Sequence, residues 1–459
     1  MTAVRVYVPA LPFFDLRTLG ILPLSRPKAI VDNTRIMRIF ERALPLFVFC
    51  ISITPSAFSY SVLSHEALVD AMWDVQLRPY LLKNYPNATA ADLKRAHGFA
   101  YGGAILQDLG YYPHGSPEFS DLTHYVRTGD FIIALLKEAH DLDELAFALG
   151  ALSHYVGDLE GHKEGTNIGE PILYPKLAKK FGKVVTYEDD PAAHLKTEFA
   201  FDVLEVARGN FAPESYHDFI GFFVAKDLVG RAFHDTYGLD LSDLFGSFDS
   251  AVSGYRTSAS KIIPLATRVA WAQKKDEIQR AEPGMTHRRF IYIMKRSSYE
   301  KEWGKRVQQP SASDKFLALL LKLIPPIGPL RYLRFKIPTP AVEQLFMASF
   351  NSAVQQYAIV LNETIHKDLS LPDRNYDTGD FSPPGAYRLN DQTHAFWLHK
   401  LAETKYAGLT PEIKADLLAF YSDPNAPNFT KRKPQEWQQT LNELAPLKTI
   451  ALKDPGTSP

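Results

Sequence analysis

The sequence has a single cysteine, Cys50, and almost no net charge. Its 459 residues include 51 lysines and arginines and 52 aspartates and glutamates, so no global field favours a nucleic-acid partner. It contains no glycine-rich phosphate loop, nucleophile elbow or internal repeat. One cysteine excludes intrachain disulfides and cysteine-rich zinc sites, which leaves histidine and carboxylate as the strong metal ligands.

The cysteine lies in a segment typical of a secretory signal peptide, residues 37–59. This segment has a short basic flank, an apolar core too short to span a bilayer, and small residues before its end. Cleavage after Ser59 would make Tyr60 the new amino terminus. We therefore predict an exported protein, periplasmic or secreted, with an uncertain N-terminal extension over residues 1–36; an uncleaved anchor or a buried helix is the alternative.

The central stretch ALGALSHYVGDLEGH carries His154, Asp158 and His162 at intervals of four residues. In a helix these side chains lie on one face within about 80°, and the outer two backbones are about 12 Å apart. That separation suits two metal ions better than one, with one oxygen of the Asp158 carboxylate bound to each ion. The alternative is an ordinary polar pair on a solvated helix.

Three more residues of ligand type occur on the helices predicted before this stretch. His65 lies in the first turn of a helix for which Ser64 is a candidate N-cap. Asp108 follows apolar residues at the end of a second helix, where an unpaired carboxylate would be costly. His124 lies in the first turns of a third predicted helix, residues 119–139.

A fourth predicted helix follows an irregular stretch, residues 163–188. Asp190 is its expected N-cap and Pro191 its first residue. His194 and Glu198 stand one turn apart on this helix, which is the spacing that two side chains need to bind one metal ion from one side. The recurrence of such residues on four helices favours a metal site over isolated surface residues.

The order of these residues resembles the superfamily of zinc-dependent bacterial phospholipases C and fungal single-strand-specific nucleases. The resemblance covers residues 60–275 and is carried by the phrases HYVGD and HxxxE. It implies an all-α, multi-helix domain that holds three zinc ions. The implied ligands are Asp108, His124, His154 and Asp158 for the first ion, His162, His194 and Glu198 for the second, and Tyr60, His65 and the bridging Asp158 for the third.

Two positions depart from the family pattern. Mature chains of the family usually begin with tryptophan rather than with a tyrosine such as Tyr60, although the ligands there are backbone atoms. The step from Asp158 to His162 is two residues shorter than usual, so Glu160 is an alternative ligand. The resemblance also implies hydrolysis by metal-activated water, with Asp158 and Asp108 as the catalytic carboxylates and Asp108 accepting the proton of the water.

Residues 276–459 are predicted to form a mostly helical and irregular C-terminal region that packs on the first domain. An apolar run over 316–330 is either a peripheral membrane contact or a buried core helix ended by prolines. A proline- and aspartate-rich loop is expected over 371–387. Helices are expected over 338–368 and around 392–404, 410–421 and 434–444.

The sequence therefore predicts an exported zinc-dependent phosphodiester hydrolase of the phospholipase C type, acting on a phospholipid or another phosphate ester. A single-strand nuclease or nucleotidase is an alternative, favoured by the five-residue step from Tyr60 to His65. Against it, no basic groove with interleaved aromatic residues is recognisable. A non-catalytic zinc-binding envelope protein is the alternative from another class. The sequence assigns neither a lipid head group nor an oligomeric state.

Overall fold

The computed structural model describes residues 62–208, 223–258, 335–366 and 369–451, together with the isolated positions 276 and 279. Within these ranges every regular element is a helix and no strand occurs, which confirms the all-α prediction. The described residues belong to one compact unit. The predicted extension and signal peptide, Tyr60 and the apolar run over 316–330 lie outside the described residues.

The helices are numbered here in chain order. The first group comprises α1 Val62–Met72, α2 Arg78–Asn84, α3 Ala90–Gly103, α4 Pro117–Tyr125, α5 Thr128–Glu138, α6 Leu142–Gly161, α7 Asn167–Leu173, α8 Pro175–Phe181, α9 Pro191–Arg208, α10 Lys226–Tyr237 and α11 Phe248–Thr257. The C-terminal group comprises α12 Pro340–His366, α13 Arg388–Glu403, α14 Pro411–Phe420 and α15 Pro434–Thr449. Two π-helical turns, Trp73–Leu77 and His162–Thr166, and three short 3₁₀ helices, Gln107–Tyr111, Leu241–Asp243 and Phe429–Arg432, complete the described elements.

Helix α6 is the central element. Asp141 caps its start by accepting a hydrogen bond from the Glu144 amide at 2.8 Å. Helices α1, α3, α5 and α12 all pack against it, so it is buried on several sides. Glycine allows the closest of these approaches, because a Cβ atom on Gly103 would lie 1.9 Å from the Phe147 carbonyl oxygen.

The chain beyond α6 is more regular than the sequence suggested. Residues 163–188 were expected to be irregular, but α6 passes directly into the π-helical turn His162–Thr166 and then into α7. Helix α12 packs against that turn, and a Cβ atom on Gly165 would lie 2.6 Å from the Ser349 hydroxyl. Tertiary packing therefore supports helical geometry where local composition indicated a loop.

The single helix predicted over 119–139 is wrong. Helix α4 ends at Tyr125 and α5 begins at Thr128, with Arg127 between them in the left-handed region at φ 49°. The break is stabilised from outside the segment, since the Tyr237 hydroxyl donates to the Val126 carbonyl at 3.0 Å. His124 consequently lies in the last turn of α4 and not in a first turn.

The predicted cap at Ser64 is also wrong, whereas the cap of α9 is as expected. Ser64 lies inside α1, and its hydroxyl donates to the Asp202 carboxylate at 2.6 Å instead of capping the helix. On α9, the Asp190 carboxylate accepts from the Ala193 amide at 3.0 Å, and Pro191 is the first helical residue.

The C-terminal elements follow the predicted order. Helix α12 matches the expected long helix, and α13, α14 and α15 match the three shorter ones within a few residues. The loop over 371–387 lies against the first group of helices, where the Tyr155 hydroxyl donates to the Pro372 carbonyl at 2.8 Å. The proposed division of the chain near residue 275 remains a prediction. No helix in the described ranges is long and apolar enough to cross a membrane.

Candidate metal centre

The central helix places a carboxylate between two imidazoles. His154, Asp158 and His162 lie one turn apart, and all three side chains are almost fully buried. Oδ2 of Asp158 is 3.1 Å from Nε2 of His154, whereas Oδ1 is 3.7 Å from Nε2 of His162. Within the stripe, the two oxygens therefore approach different imidazoles.

The end around His154 forms what we call the first cluster. Oδ2 of Asp158 is also 3.4 Å from Nε2 of His124 at the end of α4, and Oδ1 is 3.2 Å from Nε2 of His65 on α1. Asp108, in the 3₁₀ helix after α3, approaches the same His124 nitrogen to 3.4 Å. The first cluster comprises His65, Asp108, His124, His154 and Asp158, in which two overlapping triads have ligand atoms within 4.8 Å of one another.

Backbone carbonyls orient two imidazoles of the first cluster. Nδ1 of His154 lies 2.8 Å from the Ala104 carbonyl oxygen, and Nδ1 of His124 lies 2.7 Å from that of Ser120. A carbonyl can only accept, so each Nδ1 carries a proton and each Nε2 is directed at the cluster. The ring of His65 stacks on that of His154 with centroids 4.0 Å apart, which packs the third imidazole in place.

The second cluster comprises His162, His194 and Glu198, whose ligand atoms also lie within 4.8 Å of one another. Oε1 of Glu198 is 3.0 Å from Nε2 of His194 and 3.1 Å from Nε2 of His162. Here carboxylates face the other ring nitrogens. Oε2 of Glu170 is 3.6 Å from Nδ1 of His194, and Oδ1 of Asp377 is 3.8 Å from Nδ1 of His162.

The donor atoms fit bound zinc. Nε2 of His124, His154 and His194 and both oxygens of Glu198 are buried and make no well-aligned hydrogen bond within the described part of the chain. Buried polar atoms of this kind are costly unless something satisfies them. Imidazole nitrogens with carboxylate oxygens are typical of catalytic zinc sites, and the three triads could hold metal ions.

The electrostatics of both clusters favour the binding of positively charged groups or ions. Burial penalises the charge of Asp158, but His154 and His162 outweigh it and hold the pKa of Asp158 well below its usual range. Burial also opposes protonation of His124, yet its contacts with Asp108 and Asp158 raise its pKa to about 10. His65 differs, because burial and the neighbouring His154 lower its pKa. The ionised carboxylates make the centre attractive to cations.

Every predicted ligand except Tyr60, which lies outside the described residues, is in one of the two clusters. The suspected substitute Glu160 does not join them, since it accepts a hydrogen bond from the Ser352 hydroxyl on α12 at 2.6 Å. His162 enters the second cluster despite the short spacing, because α6 remains helical through Gly161. Which of these side chains bind metal remains a prediction.

Sequence reasoning missed the two carboxylates behind the second cluster, Glu170 and Asp377. Glu170 lies in the stretch expected to be irregular, so its position on α7 could not be placed. Asp377 lies far along the chain in a loop given no functional role. Its approach depends on tertiary packing, and no local pattern signals it.

A narrow pocket adjoins both clusters. It is lined by Tyr111, His124, Tyr125, His162, Tyr187, His194 and Asp377. Tyrosine rings provide apolar faces with polar edges, while the histidines connect the pocket to the candidate metal centre. A small polar group that entered here would meet side chains from both clusters.

Residues 64–246 match the family model described as zinc dependent phospholipase C. This part of the chain is similar to the zinc dependent phospholipase C family. All the described cluster residues fall within the match, whereas Asp377 and the C-terminal helices do not. The matched family is one of hydrolases that act on phospholipids. Neither a curated protein nor a solved structure matches the chain.

Proposed function

We propose that this protein is an exported zinc-dependent phosphodiesterase that cleaves phospholipids in the phospholipase C manner. The observation that carries the proposal is the divergence of the two Asp158 oxygens, one towards His154 and the other towards His65 and His162. A carboxylate placed in this way suits a pair of ions that act on one phosphate. The family match over residues 64–246 supports the same substrate class.

Zinc bound at these clusters would activate water and neutralise charge on the attacked phosphate. The protein itself contributes a fixed arrangement of ligands, since backbone carbonyls orient His124 and His154 before any substrate arrives. Burial of both clusters lowers the local dielectric constant, which strengthens their electrostatic interactions with a phosphate.

Asp108 is the proposed proton acceptor. It is 1% exposed, and burial raises its pKa less than the nearby charges of His154 and His124 lower it, so the carboxylate is ionised. In the proposed reaction the oxygen of water bonds to phosphorus and its proton passes to Asp108. The bond from phosphorus to the glycerol oxygen breaks, and that oxygen takes the proton from Asp108, which is then ionised again. The products are diacylglycerol and a phosphorylated head group.

The first experiment uses protein recovered after export, with its amino terminus sequenced and its metal content measured. We expect an amino terminus at Tyr60, bound zinc, and release of phosphorylated head group from phosphatidylcholine vesicles. A chelator should abolish release, and added zinc should restore it. The variant His154→Ala should be inactive, whereas His140→Ala, with a side chain 66% exposed, is the matched control.

Other outcomes would redirect the proposal. Chelator-sensitive cleavage of single-stranded DNA without lipid hydrolysis would assign the chain to the nuclease branch. Bound zinc without hydrolysis of lipid, DNA or simple phosphate esters would favour a non-catalytic zinc-binding protein. An unprocessed amino terminus in protein that remains inside the cell would overturn the proposed export.

A further inference from the structure

The loop between α12 and α13 brings a buried carboxylate behind the second cluster. Asp377 lies in this loop, outside the matched residues 64–246, and is 2% exposed. Its Oδ1 atom is 3.8 Å from Nδ1 of His162 and accepts no hydrogen bond from the described residues. This distance is longer than a hydrogen bond but within the range of an ion pair.

Four hydrogen bonds hold Asp377 in this position, and one of them runs from its own amide to Oδ1 of Asn375 at 2.9 Å. Its Oδ2 atom accepts from the Tyr187 amide at 2.9 Å and from the Tyr387 hydroxyl at 2.5 Å. Its carbonyl oxygen accepts from Nδ2 of Asn167, in the first turn of α7, at 2.6 Å. Because these contacts occupy Oδ2 and the backbone, Oδ1 remains directed at His162.

The loop is also attached on the side of the first cluster. The Tyr376 amide donates to the His124 carbonyl at 3.0 Å, and the Thr128 hydroxyl donates to the Arg374 carbonyl at 2.8 Å. The Asp373 carboxylate accepts from the Gly129 and Asp130 amides at the start of α5. Asp377 is thus fixed relative to the helices that carry the ligands.

The two nitrogens of His162 face different groups. Nε2 faces Glu198 at 3.1 Å and Asp158 at 3.7 Å, so it points into the candidate metal centre. Nδ1 points to the opposite side, towards Asp377. A metal ion held by Nε2 would leave Asp377 behind the ring, where the partner of a metal-bound histidine usually lies. The backbone carbonyls of Ala104 and Ser120 occupy the corresponding positions behind His154 and His124, respectively.

We propose that Asp377 is a positioning residue, which orients His162 for zinc and thereby makes the C-terminal region part of the metal centre. The inference rests on the proposed function only in requiring zinc at the second cluster. It requires neither a lipid substrate nor turnover. Zinc binding can therefore test it independently of activity.

The test compares two variants of the full chain, Asp377→Asn and Asp380→Asn. Asp380 lies in the same loop, but its side chain is 65% exposed and pairs with Lys163, so it is a matched control. Zinc is removed, and each protein is titrated with zinc against a competing chelator. Asp377→Asn should weaken the binding of one ion by about 10- to 100-fold, the usual effect of losing a partner that orients a ligand. Asp380→Asn should bind as the unchanged protein does.

Chemical unfolding of the zinc-free proteins distinguishes a role of Asp377 in orienting His162 from a purely structural role. If Asp377→Asn lowers their stability but leaves every zinc affinity unchanged, the proposal is overturned. It is also overturned if all ions are weakened equally or if the unchanged chain binds no zinc. Selective weakening of one ion supports it, even in a protein that hydrolyses no lipid. Should Asp377→Asn fail to fold, Tyr387→Phe, which removes one anchor of the same carboxylate, replaces it in the titration.

Discussion

Asp158 of the first cluster also faces His162 of the second, yet the imidazoles of the two clusters are oriented in different ways. In the first cluster the Nδ1 atoms of His124 and His154, which point away from the cluster, face backbone carbonyls at hydrogen-bonding distance. In the second cluster Nδ1 of His162 faces the Asp377 carboxylate at 3.8 Å. Nδ1 of His194 faces the Glu170 carboxylate at 3.6 Å. Carbonyl partners are fixed by the helices themselves, whereas carboxylate partners depend on side chains and, for Asp377, on a distant loop.

This difference gives each cluster its own sensitivity to substitution. A carbonyl partner is not removed by a side-chain change, so the first cluster should respond mainly to changes in helix packing. A carboxylate partner is lost through one substitution, so the second cluster should respond to changes in the C-terminal region. A change at Asp158, which faces both clusters, should affect both.

The largest effect is expected from Asp158→Asn. The variant removes the one carboxylate that faces both clusters, so zinc should be lost from both. Removing a residue that only orients a metal ligand lowers affinity or activity by about 10- to 100-fold. The loss of turnover in Asp158→Asn should be larger. Zinc content and kcat/KM on phosphatidylcholine vesicles measure the effect. Asp74→Asn, with a side chain 79% exposed, is the control; loss of zinc from one cluster alone would contradict a shared role.

A smaller and more local effect is expected from Asp108→Asn. Asp108 approaches His124 in the first cluster and is not among the three residues of the second cluster. Removal of the proposed proton acceptor should lower kcat by about 10²- to 10⁴-fold, while zinc at the second cluster and the helical circular dichroism are retained. An unchanged kcat would remove Asp108 from the mechanism.

A packing substitution should disturb the first cluster more than the second. The added methyl group of Gly103→Ala would lie 1.9 Å from the Phe147 carbonyl oxygen, so α3 must move away from α6. Overpacking of this kind costs about 1–3 kcal/mol of unfolding free energy. Ala104 follows directly, so its carbonyl should shift from His154 and weaken zinc binding there.

The matched control for this packing change is Gly230→Ala on α10. The nearest atom to its added methyl group is Cδ1 of Leu241 at 4.0 Å. Helix propensity should therefore raise the unfolding free energy by about 0.5–1 kcal/mol. Equal destabilisation by the two variants in urea unfolding would contradict the proposed tight contact between α3 and α6.

The sequence predicted the cluster residues on α6 and α9 better than the surroundings of the two clusters. Intervals of four residues on α6 and α9 are local, so the positions of His154, Asp158, His194 and Glu198 follow from helix geometry alone. The break between α4 and α5 depends on Tyr237, which approaches Val126 only in the folded chain. Asp377 was missed for the same reason, since its neighbours Asn167 and Tyr187 are about 200 residues away along the chain.

The smallest effect is expected from a pair of tyrosine substitutions that separates stability from zinc binding. Tyr387→Phe and Tyr357→Phe each remove a buried hydroxyl, from the Asp377 carboxylate and from the Leu149 carbonyl respectively. Each should cost about 1 kcal/mol of unfolding free energy. Only Tyr387→Phe loosens a group that faces His162, so only this variant should weaken zinc binding at the second cluster. The loss of affinity should be less than the roughly tenfold loss expected when a residue that orients the ligand directly is removed. Equal zinc affinities in the two variants would mean that the remaining bond from the Tyr187 amide is enough to hold Asp377. Weakened zinc binding in Tyr357→Phe would instead attribute the effect to general loss of stability, because that hydroxyl lies against α6 and outside both clusters.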